Sequence, residues 1–353
     1  MATTKGPLSM ALTNLVPALL GRIDPEPVRV AWAEREFALR LETYGAASPL
    51  PESQLAPPEA IRKVFSHPAV GSMARAGSAA PKHWAPVVAA LQLLAGDEVG
   101  AIAALRSRGV LTAGGVHLPG TASVWDHSAK TMRALEVVNG FELNNIEPAF
   151  NAWSDHVDPN ITGEWRALVS DSAALIAELD NRDFINATAL TTVVVPLLQR
   201  DGKAYGRTSK FEIESGSLTD AVGMAYISPG TWDRVSFAEA MVHESYHSLF
   251  NMALELCEFE LENEAEFYAP WKGATRPTRA VLHGIVAFSA VMRFWIHLSK
   301  TRSVASTRAN ELISRRANQV LQSATAVLAA GVLTSAGEEL AEAAVEDARA
   351  ACS

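Results

Sequence analysis

The stretch 235-VSFAEAMVHESYHSLFNMALE-255 decides how the rest of the chain is read. Its apolar residues Met241, Val242, Leu249, Phe250 and Met252 recur at helical spacing, and no Pro or Gly interrupts before residue 256, so a buried helix is expected. Ser236 is the expected N-cap, with Glu239 at the third position after it, as in a capping box. At the centre lies His243-Glu244-Ser245-Tyr246-His247, an HExxH box. Residues i and i+4 share one helix face, so His243 and His247 can turn both imidazoles to one ion. Tyr246 falls on another face and reads as core. Two ligands do not complete a metal site; a third donor is needed, with positions left open for substrate.

The sequence on either side changes texture twice. Segments such as 7-PLSMALTNLVPALLGRI-23, 27-PVRVAWAEREFALRLETYG-45 and 82-KHWAPVVAALQLLAGD-97 carry apolar residues at helical spacing, separated by the Pro/Ser/Gly-rich joints 48-SPLPESQLAPP-58 and 77-GSAAPK-82. From about residue 109 short β-branched runs bounded by turn residues read as strands: GVLTAGGVHLPG, MRALEVVNGFEL, ATALTTVVVPLLQ, KFEIESG and AVGMAYISP. One helix, 162–180, interrupts them. The last third is helical again, over 235–256, 276–300 and a long Ala-rich stretch from 304 to 350. The expected fold is mainly α with a small β-sheet (α+β), the sheet lying just before the metal-binding helix, which packs in a helical core. The expected organisation is an N-terminal helical region over 1–105 and an HExxH domain over 106–353, which form either two domains or one continuous one.

Bulk composition narrows the function classes. A net charge of −9 with no clustered basic face argues against nucleic acid as a partner, and Arg315-Arg316, the densest basic clump, reads as helix surface. Cys257 and Cys352 form no CxxC pair and no disulfide framework. The N-terminus has no charged segment followed by an apolar run, so no signal peptide is expected, and no unbroken apolar run reaches the roughly 18 residues that span a bilayer. The expectation is a cytoplasmic protein with no membrane partner.

Two third ligands suggest themselves. Glu264 and Glu266, in the acidic tract 258-EFELENEAEF-267, follow His247 by 17 and 19 residues, the spacing of the Glu ligand in thermolysin-like zinc peptidases. The ordinary reading of that tract is a solvated loop. His283, in 276-RPTRAVLHGIVAFSAVMRFW-295, lies on an apolar helix with Ala287, Ala290 and Phe294 along its face. Alone it reads as a core histidine; beside a two-histidine site that lacks a ligand it becomes a candidate.

The order of blocks 220-DAVGMAYIS-228, 238-AEAMVHESYHSLFNMALEL-256 and 267-FYAPWKGATRPTRAVLHGIVAFSAVMRFW-295 resembles the HExxH-domain peptide-modification proteins encoded beside ribosomal-peptide precursors. The matching residues are Gly223 and Ser228; His243, Glu244 and His247; Tyr268, Pro270, Trp271 and Lys272; Arg276 and Pro277; then Leu282, His283, Gly284, Phe288, Phe294 and Trp295. The resemblance covers residues 220–295 and departs at Lys272, where Arg is usual, keeping charge and losing the planar fork. It implies an Fe(II)/2-oxoglutarate-dependent hydroxylase acting on the β-carbon of a residue in a peptide substrate, with a precursor peptide or carrier as possible partner. His243, His247 and His283 would then be the metal ligands, and Arg276, with Lys272 and Trp271 beside it, would bind 2-oxoglutarate. Arg276 has an ordinary reading too, as an ion-pair partner of the acidic tract. Glu244 separates the two mechanisms. It would orient a ligand or water in the oxygenase, whereas in the alternative, a zinc metallopeptidase, it would be the general base on metal-bound water.

Overall fold

The computed structural model describes residues 12–13, 15–47, 65, 117–118, 123–126, 131–134, 167–168, 171–172, 174–176, 178–179, 193–196, 215–217, 219, 222–227, 233–301 and 306–352. The expected helix at 82–97, the boundary near residue 105 and Ser228 lie outside them. Helix dominates. Among the described residues the helices with defined bounds are α1 (Leu15–Leu19), α2 (Glu26–Ala47), α3 (Arg234–Leu256), α4 (Thr278–Thr301), α5 (Ser306–Ala329) and α6 (Ser335–Cys352), and the described residues between 167 and 179 are helical too. The strands are β1 (His117–Leu118), β2 (Ser123–Asp126), β3 (Thr131–Ala134), β4 (Val193–Pro196), β5 (Ser215–Ser217), β6 (Met224–Ile227), β7 (Glu266–Ala269) and β8 (Ala274–Pro277). The chain divides into two compact units, each drawn from separate stretches of sequence: 1–32 with 169–191 and 233–353, and 33–168 with 192–232.

The second unit holds two small sheets. β1-β2-β3 is antiparallel throughout, with Trp125 opposite Met132. In β4-β6-β5 the central β6 runs parallel to β4 and antiparallel to β5. A further hairpin, β7-β8, follows α3 in the first unit and pairs Phe267 with Arg276 and Tyr268 with Thr275. Among the described residues, the single sheet expected before the metal helix is therefore two separate three-stranded sheets, with a hairpin after the helix.

The first unit is a helical core built on α3. Asp233, not Ser236, caps this helix: its carboxylate accepts from the Val235 and Ser236 backbone N–H groups at 2.9 and 2.8 Å. A carboxylate satisfies two otherwise orphaned donors and faces the positive end of the helix, which a serine hydroxyl one turn later does not. Glu239 consequently makes no capping-box bond there and points elsewhere. Phe237, Met241, Val242, Tyr246, Leu249 and Phe250 of α3 are buried, as are Leu282, Val286, Phe294 and Trp295 of α4, which packs on α3. Each such side chain contributes on the order of 2 kcal/mol by leaving water. Helix α4 in turn packs on α5, and α5 on α6. In α5 the buried stripe Ile313, Ala317, Val320, Ala324 and Val327 keeps helical spacing and uses small residues, which lets the helices approach closely.

The Ala-rich stretch from 304 to 350 is two helices, not one. Gly331, with φ +65°, ends α5 in the left-handed conformation that glycine adopts without steric cost. The turn is tied to the segment after α3, where Leu261 N donates to Val332 O (2.9 Å) and Thr334 N to Phe259 O (3.2 Å). Helix α4 is, over Thr278–Lys300, long and apolar enough by length and composition to cross a membrane, with a mean hydropathy of 1.5 that a search for unbroken apolar runs passes over. That window is 72% buried inside the protein, as a central core helix would be.

Candidate metal centre

Three histidines from two helices meet inside the first unit. His243 and His247, one turn apart on α3, bring their Nε2 atoms to 2.9 Å. His247 Nδ1 lies 3.3 Å from Nδ1 of His283, which α4 presents from the facing side. Two nitrogens each about 2.1 Å from one octahedral ion lie about 3 Å apart, so these separations suit both a proton shared between rings and a shared ion. As placed, His247 turns one nitrogen to each neighbour, and among the described residues no three His, Cys, Asp or Glu side chains converge as a ready-made metal group. Bringing a third nitrogen to the His243–His247 side takes a turn of one imidazole.

Aromatic rings enclose the cluster. Phe288, on α4, lies 4.8 Å from the His243 ring, and Phe250 meets the His283 ring edge-on at 4.7 Å. Trp271 comes from the β7–β8 turn and packs 5.0 Å from Phe288. Gly284 explains how it gets there: a Cβ at this position would lie 1.9 Å from the indole of Trp271. The hairpin turn itself uses Gly273 at φ +66° and is closed by Lys272 and Gly273 N–H bonds to Ala269 O, both 2.9 Å.

Burial fixes the protonation state. Desolvation, helped by the charges of Arg316 and Lys272, holds His243 down at about 3. Desolvation pushes His247 well below the ordinary value, with the neighbouring histidines and Lys272 adding to it. Desolvation and Arg279 lower His283 to about 4. All three are neutral at physiological pH, the form whose lone pair can bind a metal. All three histidines keep partial exposure, 19% for the His243 side chain, so the cluster is not sealed from the surface.

Glu244 is 1% exposed, with Oε1 4.0 Å from His243 Nε2. Tyr246 is core, as expected, at 1% exposure. Glu264 and Glu266 are exposed and outside the histidine cluster, and Glu266 accepts from Thr275 Oγ1 across the hairpin (3.2 Å). Lys272 and Arg276 are exposed on the hairpin; Arg276 sits opposite Phe267 on β8. The arginine that pairs with the acidic tract is Arg279, which donates to Glu260 at 2.8 Å. Trp271 is half-buried.

The residue that sequence reasoning missed is Arg316. Read as helix surface, it lies on α5 with its guanidinium 4.5 Å over the Phe288 ring and bonded to Glu239 Oε1 at 3.1 Å. Trp295 Nε1 holds the other oxygen of that carboxylate, also at 3.1 Å. A signal was present: 313, 316, 317 and 320 keep helical spacing, which puts Arg316 at the edge of the buried stripe while Arg315 faces solvent. No protein-family model matches the chain, and a search of curated proteins finds no match.

Proposed function

We propose that the protein is an Fe(II)/2-oxoglutarate-dependent oxygenase that hydroxylates a residue of a peptide substrate at its β-carbon. The observation that carries this reading is the approach of His283 to the HExxH pair, in a chain whose 220–295 segment resembles peptide-modifying HExxH proteins. Imidazole suits iron, and three protein ligands leave room on an octahedral ion for a bidentate co-substrate and O₂. When bound, iron and 2-oxoglutarate would supply activation of O₂, the oxidant: one oxygen atom ends in succinate as the co-substrate loses CO₂, and the other in the new hydroxyl group.

The chain supplies position and enclosure. His243, His247 and His283 are the metal ligands, kept neutral by burial. Glu244 lies beside the metal-facing nitrogen of His243, its Oε1 4.0 Å from the Nε2 that also meets His247, where its carboxylate would orient a bound water or group. Phe250, Phe288 and Trp271 shield the cluster from water, and its half-buried edge is where the substrate side chain would reach it. The test is an anaerobic titration of Fe(II)-loaded protein with 2-oxoglutarate, followed by O₂ exposure with a candidate peptide. A metal-to-ligand charge-transfer band and succinate formation are expected; equal turnover without 2-oxoglutarate would refute the reading.

The second reading is a zinc metallopeptidase with Glu244 as general base, and the 4.0 Å approach of its carboxylate to His243 favours it. Against its thermolysin-like form, Glu264 and Glu266 are exposed and outside the histidine cluster. One equivalent of zinc, with peptide cleavage lost in Glu244→Gln, would establish it.

A further inference from the structure

Resting on the oxygenase reading, the geometry points to Arg316 of α5 as the residue that grips the distal carboxylate of 2-oxoglutarate, the role expected of Arg276. A five-carbon diacid bound at the metal by its keto-acid end carries its second carboxylate several ångström away, where a fixed cation must wait. Arg316 stands at that remove: its Cζ lies 4.5 Å from the Phe288 centroid, and the Phe288 ring lies 4.8 Å from His243. Arg276 is exposed on β8, on the strand that faces Phe267.

The donors of Arg316 are only partly used. Nη2 donates to Glu239 Oε1 and Nη1 to Gln319 Oε1, each at 3.1 Å. The Nε–H is buried and has no partner among the described residues. A buried donor without an acceptor carries a free-energy cost, which an incoming carboxylate relieves. The guanidinium is held in place from three sides, by Glu239, Gln319 and the Phe288 face, so little rotamer freedom is lost when an anion docks. Glu239 neutralises part of the charge, while Lys272 and Arg316 both act on His243 as positive charges. Lys272 thus adds charge, while Arg316 adds the planar donor set that distinguishes a carboxylate from other groups.

The test compares two co-substrates on anaerobic Fe(II)-loaded protein: 2-oxoglutarate, and 2-oxopentanoate, which lacks the distal carboxylate. Each is titrated to its dissociation constant through the charge-transfer band. Wild type is expected to prefer 2-oxoglutarate, and Arg316→Gln to weaken 2-oxoglutarate binding about 30-fold while leaving 2-oxopentanoate and Fe(II) binding within a few-fold. Arg316→Lys, which keeps the charge and loses the fork, is expected to fall between, and decides the matter if the Gln variant does not fold. Arg315→Gln, on the exposed face, should behave as wild type. Equal weakening of both co-substrates would make Arg316 structural and overturn the proposal, as would a preference erased by Arg276→Gln and kept in Arg316→Gln. Wild type that holds Fe(II) and binds 2-oxopentanoate as well as 2-oxoglutarate overturns the clamp alone. Wild type that binds neither overturns the oxygenase reading with it.

Discussion

His283 stands 36 residues from His247 in sequence and 3.3 Å from it in space. In the sequence it was one of two open choices for a third ligand, because a histidine on an apolar helix looks the same whether it packs or coordinates. Its companion on α3 changes its meaning. Replacing His283 with Ala is expected to weaken Fe(II) binding by more than the about 10- to 100-fold typical of losing an outer-shell partner. The unfolding midpoint of the metal-free protein should change much less; anaerobic metal titration and chemical denaturation measure the two. Glu244→Gln separates the two mechanisms at the same scale. The oxygenase account expects 2-oxoglutarate turnover to persist within about 100-fold, since Glu244 acts through its neighbours. Abolished turnover with intact iron and co-substrate binding would contradict that role. Arg316 shows what sequence reasoning lost. Helical spacing puts it at the edge of the buried stripe, but its place beside the cluster comes from the pairing of α5 with α4, a long-range contact that the local pattern does not specify.

Among the elements, α3 and the β7–β8 hairpin place the site. The existence and extent of α3 were legible from its unbroken apolar pattern, and the histidine spacing with it. Its cap was not, because both Asp233 and Ser236 are suitable residues, and only the backbone shows which carboxylate or hydroxyl faces the first N–H groups. Asp233→Ala is expected to cost about 1 kcal/mol of stability, read by denaturation, with no change in metal affinity. In the hairpin, the Trp271 indole lies on Gly284, directly after His283. Gly284→Ala places a methyl group where the indole is and is expected to destabilise the fold by about 1–3 kcal/mol, with a change in tryptophan fluorescence as the ring moves. Unchanged fluorescence and stability would show that Trp271 does not pack there.

For the whole molecule, the mainly helical character and the α+β mixture were legible from periodicity. The splitting of the described strands into two small sheets before α3 and a hairpin after it was not, because pairing partners are set by tertiary neighbours, and neither was the break in the C-terminal helix at Gly331. The desolvated, half-buried histidines also leave a mark on global stability. Each is held below the ordinary 6.5, His243 near 3 and His283 near 4, so the unfolded chain takes up protons before the folded one does as pH falls. Stability of the metal-free protein is therefore full above about pH 6.5 and declines toward pH 4, by up to about 1.4 kcal/mol per pH unit for each histidine. Denaturant midpoints at pH 7.5 and pH 5 measure this, and a midpoint that rises on acidification would contradict the neutral cluster. The most direct test of the central claim is the anaerobic 2-oxoglutarate titration of Fe(II)-loaded wild type and His283→Ala. The account predicts a charge-transfer band saturating at one equivalent in wild type and lost in the variant. Iron-loaded wild type with no band, or a variant with the full one, would contradict it.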